Sequence, residues 1–205
     1  MQSHHLTSRD VGNPAIAGTT QPLTTGYRLH AGGADIWRLR DEFHFAALEQ
    51  TGDFDATVRV ASLTLSHPFA KAGLMVRDSL AENAAMFFHF VFPDNRERGK
   101  NTGGHESHVR TLAGENCSAI YPAAGPVNPP PFPVTWPNTW LRVTRRGARF
   151  EAFASPDGSV WQRFGGAEVA LPDTVWLGLG LCSHDKAIAC TAEFFDFSIA
   201  PSASV

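Results

Sequence analysis

Apolar side chains recur at every second position through most of this chain, and that spacing is the strongest constraint on what it can form. In FDATVRV, Phe54, Ala56, Val58 and Val60 share one face of an extended strand while Asp55, Thr57 and Arg59 share the other, because successive strand side chains point to opposite sides. The same alternation sets Ala72, Leu74 and Val76 against Lys71, Gly73, Met75 and Arg77 in AKAGLMVRDSL. It sets Phe43, Phe45 and Ala47 against Glu42, His44 and Ala46. Between Ala84 and Phe92, one face is Met86, Phe88, Phe90 and Phe92, the other Phe87, His89 and Val91. Both are partly apolar, which predicts a central strand covered on two sides. The pattern continues through WLRVTR, RFEAFAS, VWQRF, TVWLGLGLCS and CTAEFFDFSI, with Pro156-Asp157-Gly158 as a hairpin turn. Helical spacing is not sustained over ten residues anywhere. About eight or more short strands separated by Gly and Pro predict an all-β sandwich of two packed antiparallel sheets, with a closed barrel as the alternative.

With 205 residues, 43% of them hydrophobic, the chain can bury one sizeable core, and residues 1–205 read as a single domain. A net charge of −3 supplies no footprint for nucleic acid or an anionic membrane. The longest apolar run, residues 84–92, is too short to span a bilayer. MQSHHLTSRD has no apolar signal core, leaving two settings open: an extracellular protein whose targeting segment is absent from the chain, or a cytoplasmic one. Three cysteines leave at least one thiol unpaired; Cys182 and Cys190 flank SHDKAIA and are either a cross-strand disulfide or two buried thiols. The glycines of GLGLC mark a strand that another backbone approaches closely. Residues 93–137 break the alternation with DNRERGKNTGGHESHVR and YPAAGPVNPPPFPVTWP. Proline removes ladder donors, so this stretch reads as a long surface loop. Tyr121, Phe132 and Trp136 would anchor it across a sheet edge or a cleft mouth, and it is the candidate contact for a protein partner.

Eight short runs, taken in order, are DVGNPA from Asp10, GADIW ending at Trp37, DEFHF from Asp41, GDF from Gly52, AKAGLMVR ending at Arg77, WLRV from Trp140, SPDGSVW ending at Trp161, and FDFSI from Phe195. Together they resemble the concanavalin A-like jelly-roll modules (laminin-G-like, lectin and glucanase types) and the related uncharacterised group that includes a yeast regulator of enolase. The resemblance covers nearly the whole chain, although the family's connection before the Trp-Leu-Arg strand is shorter. It implies a curved sheet whose concave face binds glycans. Lys71 and Arg77 would line that face, and on parity His44 and His89 would join them. Trp37 would be a platform for stacking a sugar, with Trp136 a further aromatic contact. Such modules often hold a structural calcium ion, for which Asp10 and Asp196, near the two chain ends, are the candidate ligands.

Hydrolases on this fold place carboxylates together on one strand as Glu-x-Asp-x-x-Glu, since glycosidic cleavage needs an acid facing a base or nucleophile. No such run occurs: Glu193 and Asp196 point to opposite faces, and Asp53 and Asp55 lie beside a turn. A lyase would need Arg77 or Lys71 to neutralise a uronate and His44, His89 or Tyr121 to abstract a proton. His105-Glu106-Ser107-His108 raises a metal question, yet on a strand only Glu106 and His108 share a face, with His184 or His67 as a third ligand from elsewhere. The reading is therefore a lectin-like, carbohydrate-binding module. A lyase-like polysaccharide-degrading enzyme on the same face is the first alternative, and an assembly unit using the proline-rich loop the second.

Overall fold

In the computed structural model, which describes residues 5–93, 104–122 and 132–201, the alternating segments form strands and no helix among the described residues. In chain order they are β1 (Thr7–Val11), β2 (Thr19–Leu23), β3 (Gly26–Ala31), β4 (Asp35–Trp37), β5 (Arg40–Thr51), β6 (Phe54–Leu63), β7 (Lys71–Arg77) and β8 (Met86–Val91). There follow β9 (His105–Arg110), β10 (Ser118–Ile120), β11 (Thr139–Arg146), β12 (Arg149–Ser155), β13 (Gln162–Glu168), β14 (Thr174–Cys182) and β15 (Cys190–Pro201).

One sheet runs β1-β5-β14-β7-β8-β9-β10, with β4 paired to β5; the other runs β13-β12-β11-β6-β15-β3-β2. Neighbouring strands are antiparallel in both, and the path is open at each end, so the sandwich forms and the barrel does not. The apolar face of β7 (Leu74, Val76) meets Val58, Val60, Leu141, Val143 and Phe150 of the second sheet in the main core. A second apolar cluster, Phe43, Phe45, Met75, Met86, Phe88, Phe90 and Phe92, lies on the outer face of the first sheet. That explains why β8 is apolar on both sides: all six of its residues are buried.

Two glycines let strands of the first sheet close up. A Cβ at Gly73 would lie 2.1 Å from the His89 carbonyl oxygen, and one at Gly178, in GLGLC, 2.1 Å from that of Ala46. Gly73→Ala should therefore push β7 off β8 and lower stability by roughly 1–3 kcal/mol, read as a lower urea midpoint at unchanged slope.

Residues 93–137 depart from expectation. Instead of one long loop, the segment contains β9 and β10. All six residues of β9 (HESHVR) are buried although four of them are ionisable. Polar side chains on both faces hide a strand from a search based on apolar alternation. The prolines at 126 and 129–131 lie outside the described residues, whereas Phe132 is buried with its ring 5.1 Å from that of Phe164. The three cysteines are free thiols, with Cys182 in the outer cluster and Cys190 in the main core. Burial pushes each of these two thiols up to about 12.

Candidate functional site

The outer face of the first sheet divides into a filled end and an open one. At the filled end Asp41, Arg77 and Arg110 are wholly buried. Arg77 donates to Asp41 Oδ2 at 2.7 Å and to the carbonyl oxygens of Ser79 and Ala81. Arg110 grips both Asp41 oxygens, at 2.7 and 2.9 Å, and the carbonyls of Arg38, Ala84 and Glu115. Two guanidiniums against one carboxylate leave one excess positive charge, which those backbone carbonyls and the nearby Asp78 offset.

The open end is a pocket of about 210 Å³ lined by Asp35, Trp37, Phe69, Lys71, Phe92, Glu106, His108, Tyr121 and His184. Three elements build it. Strand register puts Phe90 of β8 between Gly73 of β7 and Glu106 of β9, so the β7 and β9 side chains flank β8 across roughly 10 Å, two inter-strand spacings. On the β7 side stand Lys71, Asp35 and His184, the last just beyond the end of β14; on the β9 side stand Glu106 and His108. The third element is β4. It pairs with β5, yet the carbonyl of its Ile36 accepts from His108 Nδ1 at 2.9 Å, so β4 reaches across the faces of β14, β7 and β8. This brings Trp37 to 4.6 Å from the His108 ring. Phe69 and Tyr121 are the solvent-exposed members of the lining.

Each charged group has a partner of opposite sign. Lys71 Nζ donates to Asp35 Oδ1 at 2.6 Å and to the Phe69 carbonyl at 3.2 Å, and His184 Nδ1 lies 3.3 Å from the same Asp35 oxygen. Burial opposes ionisation of Asp35, but His184 and Lys71 outweigh it and hold the carboxyl well below its ordinary range. His108 Nε2 is 2.8 Å from Glu106 Oε1, with both side chains nearly inaccessible. A carbonyl only accepts, so the Ile36 contact fixes the hydrogen on Nδ1. The short Nε2 to Oε1 contact then requires one more proton between imidazole and carboxyl. Burial pushes His108 down while Glu106 pulls it up, and the proton belongs to the pair.

Of the residues singled out in the sequence, Lys71 and Trp37 line the pocket. Arg77 lies on the same face but is sealed at the filled end, every direction of its guanidinium engaged by protein atoms or methionine sulfurs. His44 and His89 are on the opposite side of the sheet. Parity was mistaken there because the outer face is itself a second core, which takes Phe43, Phe45, Phe88 and Phe90 and turns the histidines inward. His44 Nδ1 bonds Asp10 Oδ1 at 2.7 Å and its Nε2 meets the hydroxyls of Ser8 and Thr20. His89 lies in the inter-sheet space with Nδ1 2.8 Å from Ser107 Oγ. Trp136 precedes β11, in the second sheet, and is not part of the pocket lining. The calcium candidates do not meet. Asp10, on the first sheet, accepts from Gly18 N and contacts His44; Asp196, on the second, accepts from Arg59 Nε at 2.9 Å. Among the described residues no three His, Cys, Asp or Glu side chains are grouped to hold a metal. Asp35, Phe69 and Phe92 were not anticipated; the shared face of Glu106 and His108 was the one sequence signal for the β9 wall.

No family model matches the chain, and no curated protein matches it in sequence. Solved structures do. A functionally unknown protein from Saccharomyces cerevisiae is 18% identical with a TM-score of 0.73 over 98% of each chain. The carbohydrate-binding module CBM66 from Bacillus subtilis is 14% identical, TM-score 0.55, over 93% of this chain and 96% of its own. The exoplasmic/lumenal domain of VIP36, solved with Ca2+ and Man3GlcNAc, is 13% identical, TM-score 0.54, over 98% of this chain and 92% of its own. Such identities speak for architecture alone. On that ground, the chain has the concanavalin A-like jelly-roll fold.

Proposed function

We propose that the pocket between β7, β9 and β4 binds one sugar ring of a glycan. The observation that carries this reading is the mixture on its walls: Trp37, Phe69, Phe92 and Tyr121 interleaved with Asp35, Lys71, Glu106, His108 and His184 in about 210 Å³. Aromatic faces suit the C–H side of a pyranose, and fixed polar groups suit its hydroxyls. Because Lys71 is matched by Asp35 and His108 by Glu106, a neutral sugar fits better than a uronate or an amino sugar. The likeness in fold to a carbohydrate-binding module and to a Man3GlcNAc-bound exoplasmic/lumenal domain supports the class of ligand, and the second supports an extracellular or lumenal setting. Calcium has no part in this reading, since Asp10 and Asp196 serve Gly18, His44 and Arg59.

Calorimetric titration with a panel of neutral mono- and oligosaccharides tests it. Trp37→Ala should weaken binding by about tenfold or more, the loss typical of a central aromatic contact. Saturable binding that is indifferent to both Trp37→Ala and Lys71→Ala would remove the pocket from consideration.

A further inference from the structure

We propose that Ser8, His44 and Asp10 form a second, separate site, a serine esterase centre that cleaves carboxylic esters by way of an acyl group carried on Ser8. Its ground is one chain of contacts: Asp10 Oδ1 lies 2.7 Å from His44 Nδ1, and His44 Nε2 lies 2.9 Å from Ser8 Oγ. Strand periodicity puts Ser8 and Asp10 on the same face of β1, and the antiparallel register sets Asp10 opposite His44 and Ser8 opposite Ala46 on β5. So placed, the imidazole has the carboxylate at one ring nitrogen and the hydroxyl at the other. Gly18 holds the carboxylate, its N–H donating to the two Asp10 oxygens at 3.1 and 3.0 Å. A Cβ on Gly18 would lie 2.2 Å from His44 Nδ1, so the absence of a side chain lets this backbone cover the ring. None of these groups lines the sugar pocket, which opens on the other side of the sheet.

A carboxylate only accepts, so the neutral imidazole carries its hydrogen on Nδ1 and offers the Nε2 lone pair as a base. Two hydroxyls compete for that lone pair, since Thr20 Oγ1 is also 2.9 Å from Nε2 and 3.2 Å from Ser8 Oγ. Ser8 is the nucleophile of the two because it is exposed, whereas Thr20 is half-buried and β-branched. A nucleophile within reach of a base that a third group orients is the arrangement acyl transfer requires. Strand β1 is the edge of its sheet, so alternate N–H groups along it have no ladder partner and can donate to a substrate carbonyl oxygen. In the first step Ser8 Oγ bonds to the ester carbonyl carbon as its proton passes to His44 Nε2. The C–O bond to the alcohol then breaks, and the alcohol leaves with that proton. Water next bonds to the acyl carbon and gives a proton to His44, the bond to Ser8 Oγ breaks, and the imidazole returns the proton to Ser8. Ester and water thus become acid and alcohol, and no redox partner enters. His44 is only 2% exposed, which favours an alkoxide or phenoxide leaving group over an amine that must be protonated before it departs.

The test treats the full chain with an alkyl fluorophosphonate, locates the adduct by peptide mass spectrometry, and in parallel follows p-nitrophenyl acetate hydrolysis by absorbance. The expected adduct is on Ser8, and Ser8→Ala should lose it while the hydrolysis rate falls by about 10²-fold or more, the usual worth of a positioned base and its nucleophile, at an unchanged urea midpoint. Asp10 acts through His44 as a positioning residue, so Asp10→Asn should lower kcat with KM within about twofold of the parent. Hydrolysis by the parent no faster than by buffer, Ser8→Ala at the parental rate, or an adduct on Thr20 or a lysine in place of Ser8 overturns the proposal. Labelling of the parent needs no variant, so it decides the matter even where Ser8→Ala loosens β1. Sugar binding at the outer pocket is measured separately and is untouched by any of these outcomes.

Discussion

Asp41→Asn is expected to lower the unfolding free energy by about 3–5 kcal/mol, the cost of leaving a buried charge without its partner. Two guanidiniums converge on this carboxylate, and none of the three side chains has measurable contact with solvent. Removing the negative charge strands both Arg77 and Arg110 in an apolar cluster of Phe43, Met75, Met86 and Phe88. Arg77→Met should be milder, because Arg110 still holds both Asp41 oxygens and the new side chain extends a methionine-rich wall already present. Urea denaturation at pH 7 measures both. An Asp41→Asn midpoint equal to the parent's would show that the carbonyls of Arg38, Ser79, Ala81, Ala84 and Glu115 suffice alone. The same bonds explain why Arg77 is unavailable to a ligand: its role is to close one end of the face.

Acid is expected to unfold this protein through its inter-sheet histidines. Burial holds His89 well below 6.5 and His105 down to about 3, with backbone contacts only partly offsetting it. Among the described residues His89 Nε2 and His105 Nδ1 have no hydrogen-bond partner, and Phe164 packs against both rings. An unfolded histidine titrates near 6.5, so below that pH the unfolded chain takes up protons that the folded chain refuses. The stabilisation is full above about 6.5 and is lost as pH falls toward the folded values, at about 1.4 kcal/mol per pH unit for each histidine and roughly twice that for the two. Urea unfolding at pH 7, 6 and 5 should show this slope in the parent. In His105→Leu, whose neighbours Phe132 and Phe164 are apolar, the slope should fall by about half. A slope unchanged by that substitution would place the acid sensitivity elsewhere.

Much of the architecture was legible because β6, β7, β8, β11, β12, β14 and β15 carry alternating patterns that burial enforces: a one-residue slip would turn each apolar set into water. The alternation places β7 correctly, with Leu74 and Val76 in the main core and Lys71 and Arg77 on the far side. Strands β1 to β4 are short or carry few apolar residues, and β9 has polar residues on both faces, so nothing local distinguished them from connections. The assignment of His44 and His89 failed for a related reason. When both faces of a strand are buried, alternation separates two sets of side chains without saying which set looks into the sandwich.

Local pattern was sufficient for two antiparallel sheets, their main core and the presence of a basic residue on an outer face, since period-two burial is written residue by residue. Where that face closes and where it opens was decided by long-range contacts: β4 crossing three strands to place Trp37 and Ile36 over His108, and Asp41 drawing in two arginines from β7 and β9. These contacts join residues 36 to 72 positions apart, from Asp41 with Arg77 to Ile36 with His108. Their energy comes from mutual charge compensation inside a low-dielectric layer, a property of the assembled layer that no single segment carries.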